Sequence, residues 1–202
     1  MVCNTRGRKG KKYDKRGFCD EGQFTFNGKE GPFKVYYPNG KLYEKGSFEQ
    51  DYRNGPFSIY HENGKLSFKG TFRRGQKEGK GTQYYSNGTK RYVGNFERNH
   101  YSGEGKSYFE NGKPSFDGIY LYGLIKKGKK YEPDGSYVVG NFDIEKPDGQ
   151  CAFYNPQKKL IMKGKFLHGM KNGEVKIYRP NGKLAFKGIF VKDKKSSYGS
   201  LV

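Results

Sequence analysis

Apolar and polar residues alternate along most of this chain, in short runs that are separated by turn residues. Between Phe57 and Phe72, for example, every second position on either side of an Asn-Gly pair is apolar or glycine, apart from those beside the turn. Alternation with a period of two is typical of a β-strand that buries one face. Asn-Gly between two such runs favours a hairpin, since both residues of a two-residue turn need positive φ. The pattern therefore predicts an all-β protein built from hairpins.

The hairpins belong to an internal repeat that begins at glycine. The repeat glycines are evenly spaced, except that the step from the fifth to the sixth is two positions shorter; they are Gly22, Gly46, Gly70, Gly94, Gly118, Gly140, Gly164 and Gly188. The boundaries predicted from this spacing are a basic and flexible N-terminal arm at 1–21, repeats at 22–46, 46–70, 70–94, 94–118, 118–140 (the short one), 140–164 and 164–188, and a partial repeat with a tail at 189–202. Such self-similarity indicates an array in which each unit is stabilised mainly by its neighbours.

The turn sequence recurs with few exceptions. Asn-Gly stands at 39–40, 63–64, 87–88, 111–112 and 181–182, and the short repeat has Asp134-Gly135. The repeat from Gly140 has Asn155-Pro-Gln-Lys158 instead, for which we predict a turn of another type.

A two-residue turn at Asn63-Gly64 places Ile59 opposite Phe68 and Phe57 opposite Gly70. Alternation then gives each hairpin two different faces. The Phe face carries Phe33, Val35, Tyr37, Leu42, Phe48, Phe57, Ile59, Leu66, Phe68 and Phe72; the Lys/Tyr face carries Lys34, Tyr36, Tyr43, Lys45, Ser58, Tyr60, Ser67 and Lys69. A glycine opposite a phenylalanine leaves room for the ring to lie across the strand pair.

The rows GPFKVYYPNGKLYEKGSF, GKGTQYYSNGTKRYVGNF and GEGKSYFENGKPSFDGIY resemble MORN repeats, in particular the variant with an NGK-type turn that occurs in bacterial antitoxin-like proteins and in large DNA viruses. The resemblance extends from Gly22 to Gly188. It implies an elongated single-layer antiparallel sheet of about seven β-hairpins, and roles in scaffolding, dimerisation or lipid binding.

Charge and composition change this picture in two ways. Lys and Arg number 40 against 20 Asp and Glu, which gives a net charge of +20. Leu, Ile, Val and Phe make up only about a fifth of the chain, a composition typical of disorder. Because these few apolar residues recur at fixed offsets, we nevertheless expect an ordered sheet.

The charge suggests that the Lys/Tyr face binds a polyanion, most plausibly nucleic acid. Lysines would neutralise phosphates, and tyrosines would stack on bases. The candidate polyanion-binding residues are Lys34, Lys45, Lys69, Arg91, Lys106, Lys163, Lys176 and Lys187, with Arg6, Arg8, Lys9, Lys11 and Lys12 of the arm; the candidate aromatic face is Tyr36, Tyr60, Tyr84, Tyr108, Tyr154 and Tyr178. The structural alternative is that the tyrosines stack on one another and the lysines keep an exposed sheet soluble.

Two further hypotheses remain open at this stage. One is a protein-protein scaffold or antitoxin-like module, with self-association through the Phe face or the edge strands. The other is association with an anionic membrane through the same lysines.

Nothing in the sequence indicates catalysis. His61, His100 and His168 occupy different offsets of different repeats, and the three cysteines show no metal-binding spacing. We therefore predict no enzyme activity, no cofactor and no metal site. The N-terminus has no apolar stretch of the kind found in secretory signals, which suggests an intracellular protein, or a virion protein if the source is viral.

Overall fold

A computed structural model describes residues 7–196 and the backbone of residues 200–201. The described residues contain strands and turns and no helix, which confirms the predicted all-β class. The chain forms two compact units, one of residues 7–100 and 110–112 and the other of residues 101–109, 113–196 and 200–201.

Unit 1 is an open antiparallel sheet in which neighbouring strands follow the order of the chain, except that β5 and β6 both pair with β4. Its strands are β1 (Arg8–Tyr13), β2 (Cys19–Thr25), β3 (Gly28–Tyr36), β4 (Leu42–Glu49), β5 (Tyr52–Arg53), β6 (Gly55–Tyr60), β7 (Leu66–Arg73), β8 (Gln76–Tyr84) and β9 (Lys90–Glu97). The short β5 pairs with the end of β4, and β6 pairs with the rest of it.

Unit 2 repeats the same succession of antiparallel hairpins. Its strands are β10 (His100–Tyr108), β11 (Pro114–Leu121), β12 (Leu124–Tyr131), β13 (Tyr137–Asp143), β14 (Lys146–Tyr154), β15 (Leu160–Leu167), β16 (Met170–Tyr178), β17 (Leu184–Val191), β18 (Lys194–Lys195) and β19 (Ser200–Leu201). Both β18 and β19 pair with β17.

The Phe face forms the core of unit 1, as the alternation predicts. Phe33, Phe48, Phe57 and Phe72 are buried, and successive rings meet edge to face at centroid distances of 5.2–5.4 Å. This geometry is the favoured one for aromatic pairs. The rings cover one another, so most of the apolar surface of this face is buried within the unit itself.

The predicted pairing of phenylalanine with glycine is confirmed. Phe33 lies opposite Gly46, and Phe57 lies opposite Gly70. The Phe57 ring extends over Gly46 of the other neighbouring strand, where a Cβ atom would come within 2.5 Å of it. Glycine is required there because the ring occupies the space of a side chain.

The predicted two-residue turn is wrong. The His61 N–H donates to the Lys65 carbonyl, and the Gly64 N–H donates to the His61 carbonyl. Three residues therefore form the loop, and of Asn63 and Gly64 only Gly64 has positive φ, at 88°. This is a turn followed by a left-handed residue, and the extra residue shifts the register so that Tyr60 pairs with Leu66 rather than Ser67.

The prediction of a different turn at Asn155-Pro-Gln-Lys158 is wrong as well. The Lys158 N–H donates to the Asn155 carbonyl, and the Asn155 N–H donates to the Lys159 carbonyl, which is the hydrogen-bond pattern of the Asn-Gly turns. Lys158 takes the left-handed position with φ of 62°. The turn geometry is thus the same, and a lysine replaces the glycine.

This pair of turns gives a prediction for stability. Gly64→Ala should lower the free energy of unfolding by about 1–2 kcal/mol, because alanine is strained at positive φ. A Cβ at Gly64 would meet no atom within 4 Å, so the loss would be conformational alone. The matched control is Lys158→Ala, which should change stability by less than about 0.5 kcal/mol. Urea unfolding of both variants measures the difference; equal losses would contradict the assignment.

The N-terminal arm differs from its predicted flexible form. Arg8–Tyr13 forms strand β1, which pairs with β2 from Arg8 opposite Phe24 to Tyr13 opposite Cys19. The turn between them is ordered by Asp14, whose Oδ1 accepts hydrogen bonds from the N–H groups of Arg16 and Phe18. The Lys12 ammonium lies 4.2 Å from the centre of the Phe24 ring, which adds a cation–π contact.

Candidate functional site

A row of mostly basic residues crosses the Lys/Tyr face of unit 1, with one residue from each of six strands. Neighbouring members lie directly opposite each other in the antiparallel pairing. The row runs Lys11, Glu21, Lys34, Lys45, Ser58 and Lys69 over strands β1, β2, β3, β4, β6 and β7. At about 4.8 Å per strand, it is on the order of 24 Å long.

The row lines a groove with a volume of about 1000 Å³. Lys9 also lines the groove, beside the lysines and Glu21 of the row. Pro32 and Pro56 line it next to the lysines. Phe33 and Phe57 also border the groove, although their rings are buried on the opposite face. The volume is at the upper end of the range for ligand pockets, and Glu21 is the sole carboxylate among these lining residues.

Three lysines of this groove have no ion-pair partner among the residues that the structure describes. In the part of the chain that the structure describes, no carboxylate forms an ion pair with Lys34, Lys45 or Lys69. Lys34 and Lys45 are directly opposite each other, an arrangement that destabilises a sheet when both residues are charged. An anionic ligand in the groove would relieve this repulsion.

Glu21 is engaged at one end of the row. Its carboxylate lies 3.9 Å from the Lys11 ammonium. Burial, followed by a hydrogen bond to Glu21, raises the pKa of Tyr36 above its usual value. Tyr36 therefore stays protonated, and its hydroxyl is a neutral hydrogen-bonding group beside Glu21.

Three of the equivalent lysines of unit 2, Lys106, Lys176 and Lys187, are paired with acids. Lys106 lies 2.7 Å from Asp117, whose hydrogen bond raises the pKa of this lysine. Lys176 and Lys187 share Glu174 at 3.4 and 3.1 Å. Hydrogen bonds, first from Lys187, hold the pKa of that carboxyl below its usual range. The predicted basic strip is therefore neutralised at Lys106 and partly neutralised at Lys176 and Lys187, which share one carboxylate.

The remaining strip residues have individual surroundings. Arg91 lies outside the cross-strand row, because Val93 is the residue opposite Thr82. The Arg91 guanidinium lies 5.6 Å from the centre of the Tyr85 ring. Lys163 is 6.0 Å from the Tyr178 ring centre. Lys129, which sequence reasoning missed because the short repeat shifts its offset, lies 3.6 Å from the Tyr137 ring centre.

The predicted tyrosines are half-buried and end their strands. They are Tyr36, Tyr60, Tyr84, Tyr108, Tyr154 and Tyr178, at the ends of β3, β6, β8, β10, β14 and β16. Tyr154 stacks on Tyr137 at a centroid distance of 4.6 Å and an interplanar angle of 13°. That contact agrees with the structural alternative, in which a tyrosine packs on another tyrosine.

The basic residues of the predicted arm are divided between the two faces. Lys9 and Lys11 line the groove. Arg8 and Lys12 alternate with them along β1 and point to the Phe side, where Lys12 lies over Phe24. Arg6 lies outside the described residues.

The Phe face has a cation row of its own that sequence reasoning missed. Lys29, Arg53 and Lys77 occupy the same offset in successive repeats and lie over rings of the core. Burial lowers the pKa of Lys77, which is 4.6 Å from the centre of the Phe68 ring. The repeat spacing could have revealed this row, since Lys171 and Lys195 also take the same offset.

Comparison with protein families agrees with the repeat geometry. Four segments match the MORN repeat variant, at residues 29–50, 53–74, 101–121 and 171–192, and a fifth matches the MORN repeat, at residues 68–90. The chain is a MORN-repeat protein. No curated protein matches this MORN-repeat chain as a relative.

The MORN repeats indicate a non-catalytic scaffold. The histidines do not converge: His61 contacts the Tyr84 carbonyl, whereas His168 lies 3.2 Å from Asp143. Among the described residues, no group of three or more His, Cys, Asp or Glu side chains could hold a metal ion. The same residues include no helix suited to crossing a membrane.

Proposed function

We propose that this MORN-repeat protein binds nucleic acid in the lysine groove of unit 1. The observation that supports this proposal is the row of Lys34, Lys45 and Lys69, which line one groove and have no carboxylate partner among the described residues. Phosphate contacts from lysine supply most of the affinity of sequence-independent nucleic-acid binding. The net charge of +20 would add to the attraction at long range.

The concave shape favours a single strand over other polyanions. A groove of about 1000 Å³ has room for a few nucleotides, and Tyr36 and Tyr60 lie beyond the lysines on strands β3 and β6. Bases stack on aromatic rings while lysines follow the backbone in many single-strand binders. A bilayer is flat, so its headgroups would reach protruding side chains more easily than the floor of a groove.

The test is a triple substitution with a matched control. Lys34→Gln, Lys45→Gln and Lys69→Gln together should raise Kd for an oligothymidylate of about 12 nucleotides at least about 10-fold. The slope of log K against log salt should become shallower by about 2, since about three phosphate contacts are lost.

The control replaces Lys106, Lys176 and Lys187, which removes the same charge but from lysines already paired. Its Kd should stay within about 3-fold of wild type. Fluorescence anisotropy across a salt series measures both effects.

Two results would overturn this proposal. One is the absence of oligonucleotide binding by the wild-type protein at about 50 mM salt, where phosphate-driven binding is strong. The other is an equal loss in the triple variant and its control, which would mean that total charge matters and the groove does not. Flotation with vesicles that contain anionic lipid provides the comparison: binding to vesicles without binding to the oligonucleotide would assign the lysines to a membrane.

A further inference from the structure

Two places in this chain have the same arrangement of lysines and differ in one neighbour. Lys34 and Lys45 occupy the same two offsets in the repeat from Gly22 as Lys176 and Lys187 occupy in the repeat from Gly164. Each pair is directly opposite across two antiparallel strands. The residue two places before the first lysine is Pro32 in one repeat and Glu174 in the other.

Glu174 shows how an oxyanion fits between two such lysines. Its Oε1 lies 3.4 Å from the Lys176 Nζ, and its Oε2 lies 3.1 Å from the Lys187 Nζ. One anionic group thus bridges lysines on neighbouring strands. Proline at the equivalent position provides neither a charge nor a hydrogen-bond donor. Pro32 is exposed and lies beside the groove, so its place is open to an external group.

We propose that Lys34 and Lys45 form a phosphate site, in which one nucleic-acid phosphate bridges the two ammonium groups as Glu174 bridges Lys176 and Lys187. Proline at position 32 keeps this site open to the ligand, whereas Glu174 closes its counterpart. The inference rests on the proposed function and adds the position of a contact and the residue that determines which lysine pair binds. Pro56 is the corresponding residue one repeat later, where Ser58 replaces the first lysine and lies opposite Lys69.

Substitutions at Pro32 and at Glu174 test the inference. Pro32→Glu would place a carboxylate between Lys34 and Lys45, and we expect Kd for the oligothymidylate to rise about 10-fold. Pro32→Gln is the matched control, with the same shape and no charge, and should stay within about 3-fold of wild type. In the opposite direction, Glu174→Gln should free Lys176 and Lys187 and strengthen binding about 3-fold. That second variant leaves unit 1 unchanged, so it remains informative if Pro32→Glu folds poorly.

A residue-level measurement distinguishes this inference from the proposed function. Acetylation of lysines, read by mass spectrometry with and without the oligothymidylate, should show protection of Lys34 and Lys45 and little change at Lys176 and Lys187. In the Glu174→Gln variant, the latter two should become protected. If wild type binds and the triple lysine variant does not, but Pro32→Glu and Pro32→Gln bind equally well, the bridging site is wrong and the groove proposal stands. If wild type does not bind at all, both fail.

Discussion

Phe68→Ala is expected to lower the free energy of unfolding by about 3–5 kcal/mol, the range for truncation of a buried phenylalanine. Phe68 is 2% exposed and contacts Phe72 and Phe96 edge to face, at centroid distances of 5.5 and 5.3 Å. Each such contact contributes about 0.5–1.5 kcal/mol beyond the area it buries. Substitution would remove both contacts and the apolar burial together.

The cavity left by Phe68 would be hard to fill. The ring lies against Gly70 and Gly81, where a Cβ atom would come within 2.6 and 3.0 Å of it, so these strands offer no side chain that could move into the space. The Lys77 ammonium lies over the same ring. Removal of the ring would admit water to that ammonium, and the lowered pKa of Lys77 should return towards its usual value.

The matched control for this prediction is Phe26→Ala. Phe26 is fully exposed in the turn between β2 and β3, and the same substitution there should change stability by less than about 0.5 kcal/mol. Urea unfolding of the full chain gives the free energies, and hydrogen exchange of the amides of β7 to β9 reports the change locally. A loss below about 1 kcal/mol for Phe68→Ala would show that the face is not a packed core.

The faces of the sheet were predictable because strand alternation leaves few choices. A residue of a hairpin points to one side or the other, and one glycine-phenylalanine pair is enough to fix which side is buried. Phe57 opposite Gly70 and the row that contains Lys34, Lys45 and Lys69 both follow from this argument.

The turns and the first strand were not predictable in the same way. A two-residue and a three-residue loop use the same Asn-Gly sequence, and hydrogen bonds of His61 decide between them. Strand β1 has almost no apolar residues, so no alternation of apolar and polar positions could predict it. Its order depends on pairing with β2 and on the contact of Lys12 with Phe24, which are tertiary interactions.

The main feature that was not predicted from the sequence is whether each lysine forms an ion pair. Lys34 and Lys176 look alike along the chain, since both stand at the same offset from their repeat glycine. They differ in the residue two places earlier, which is Pro32 in one repeat and Glu174 in the other, and the structure adds that the Glu174 carboxylate reaches lysines on two strands. Counts of charge along a repeat therefore overestimate the surface that is free to bind.

Glu44 interrupts the aromatic core of unit 1. The residues at the same offset in the next three repeats are Phe68, Tyr92 and Phe116, all of them buried. Glu44 is itself only 2% exposed, opposite Val35 on one neighbouring strand and Ile59 on the other. A carboxylate in such a place requires a partner, because isolated buried charge is costly.

Arg53 is that partner. Its Nε lies 2.6 Å from the Glu44 Oε2, and its Nη2 lies 3.2 Å from the Oε1, so the guanidinium and carboxylate form a forked pair. The Arg53 guanidinium is also 5.6 Å from the Phe72 ring centre. The Arg53 side chain is 30% exposed and the Glu44 side chain is 3% exposed. The carboxylate therefore needs the guanidinium more than the guanidinium needs the carboxylate.

Arg53→Met is therefore expected to lower the free energy of unfolding by about 3–5 kcal/mol, because it leaves the Glu44 carboxylate buried without a counter-charge. Glu44→Met should cost less, since Arg53 can reach water. The double variant should recover to within about 1 kcal/mol of wild type, because apolar replacements of a buried ion pair are often neutral or stabilising. Urea unfolding of the four proteins completes a double-mutant cycle, in which we expect a coupling energy above about 2 kcal/mol. A double variant as unstable as Arg53→Met would show that arginine stabilises unit 1 through the Phe72 contact and not through Glu44.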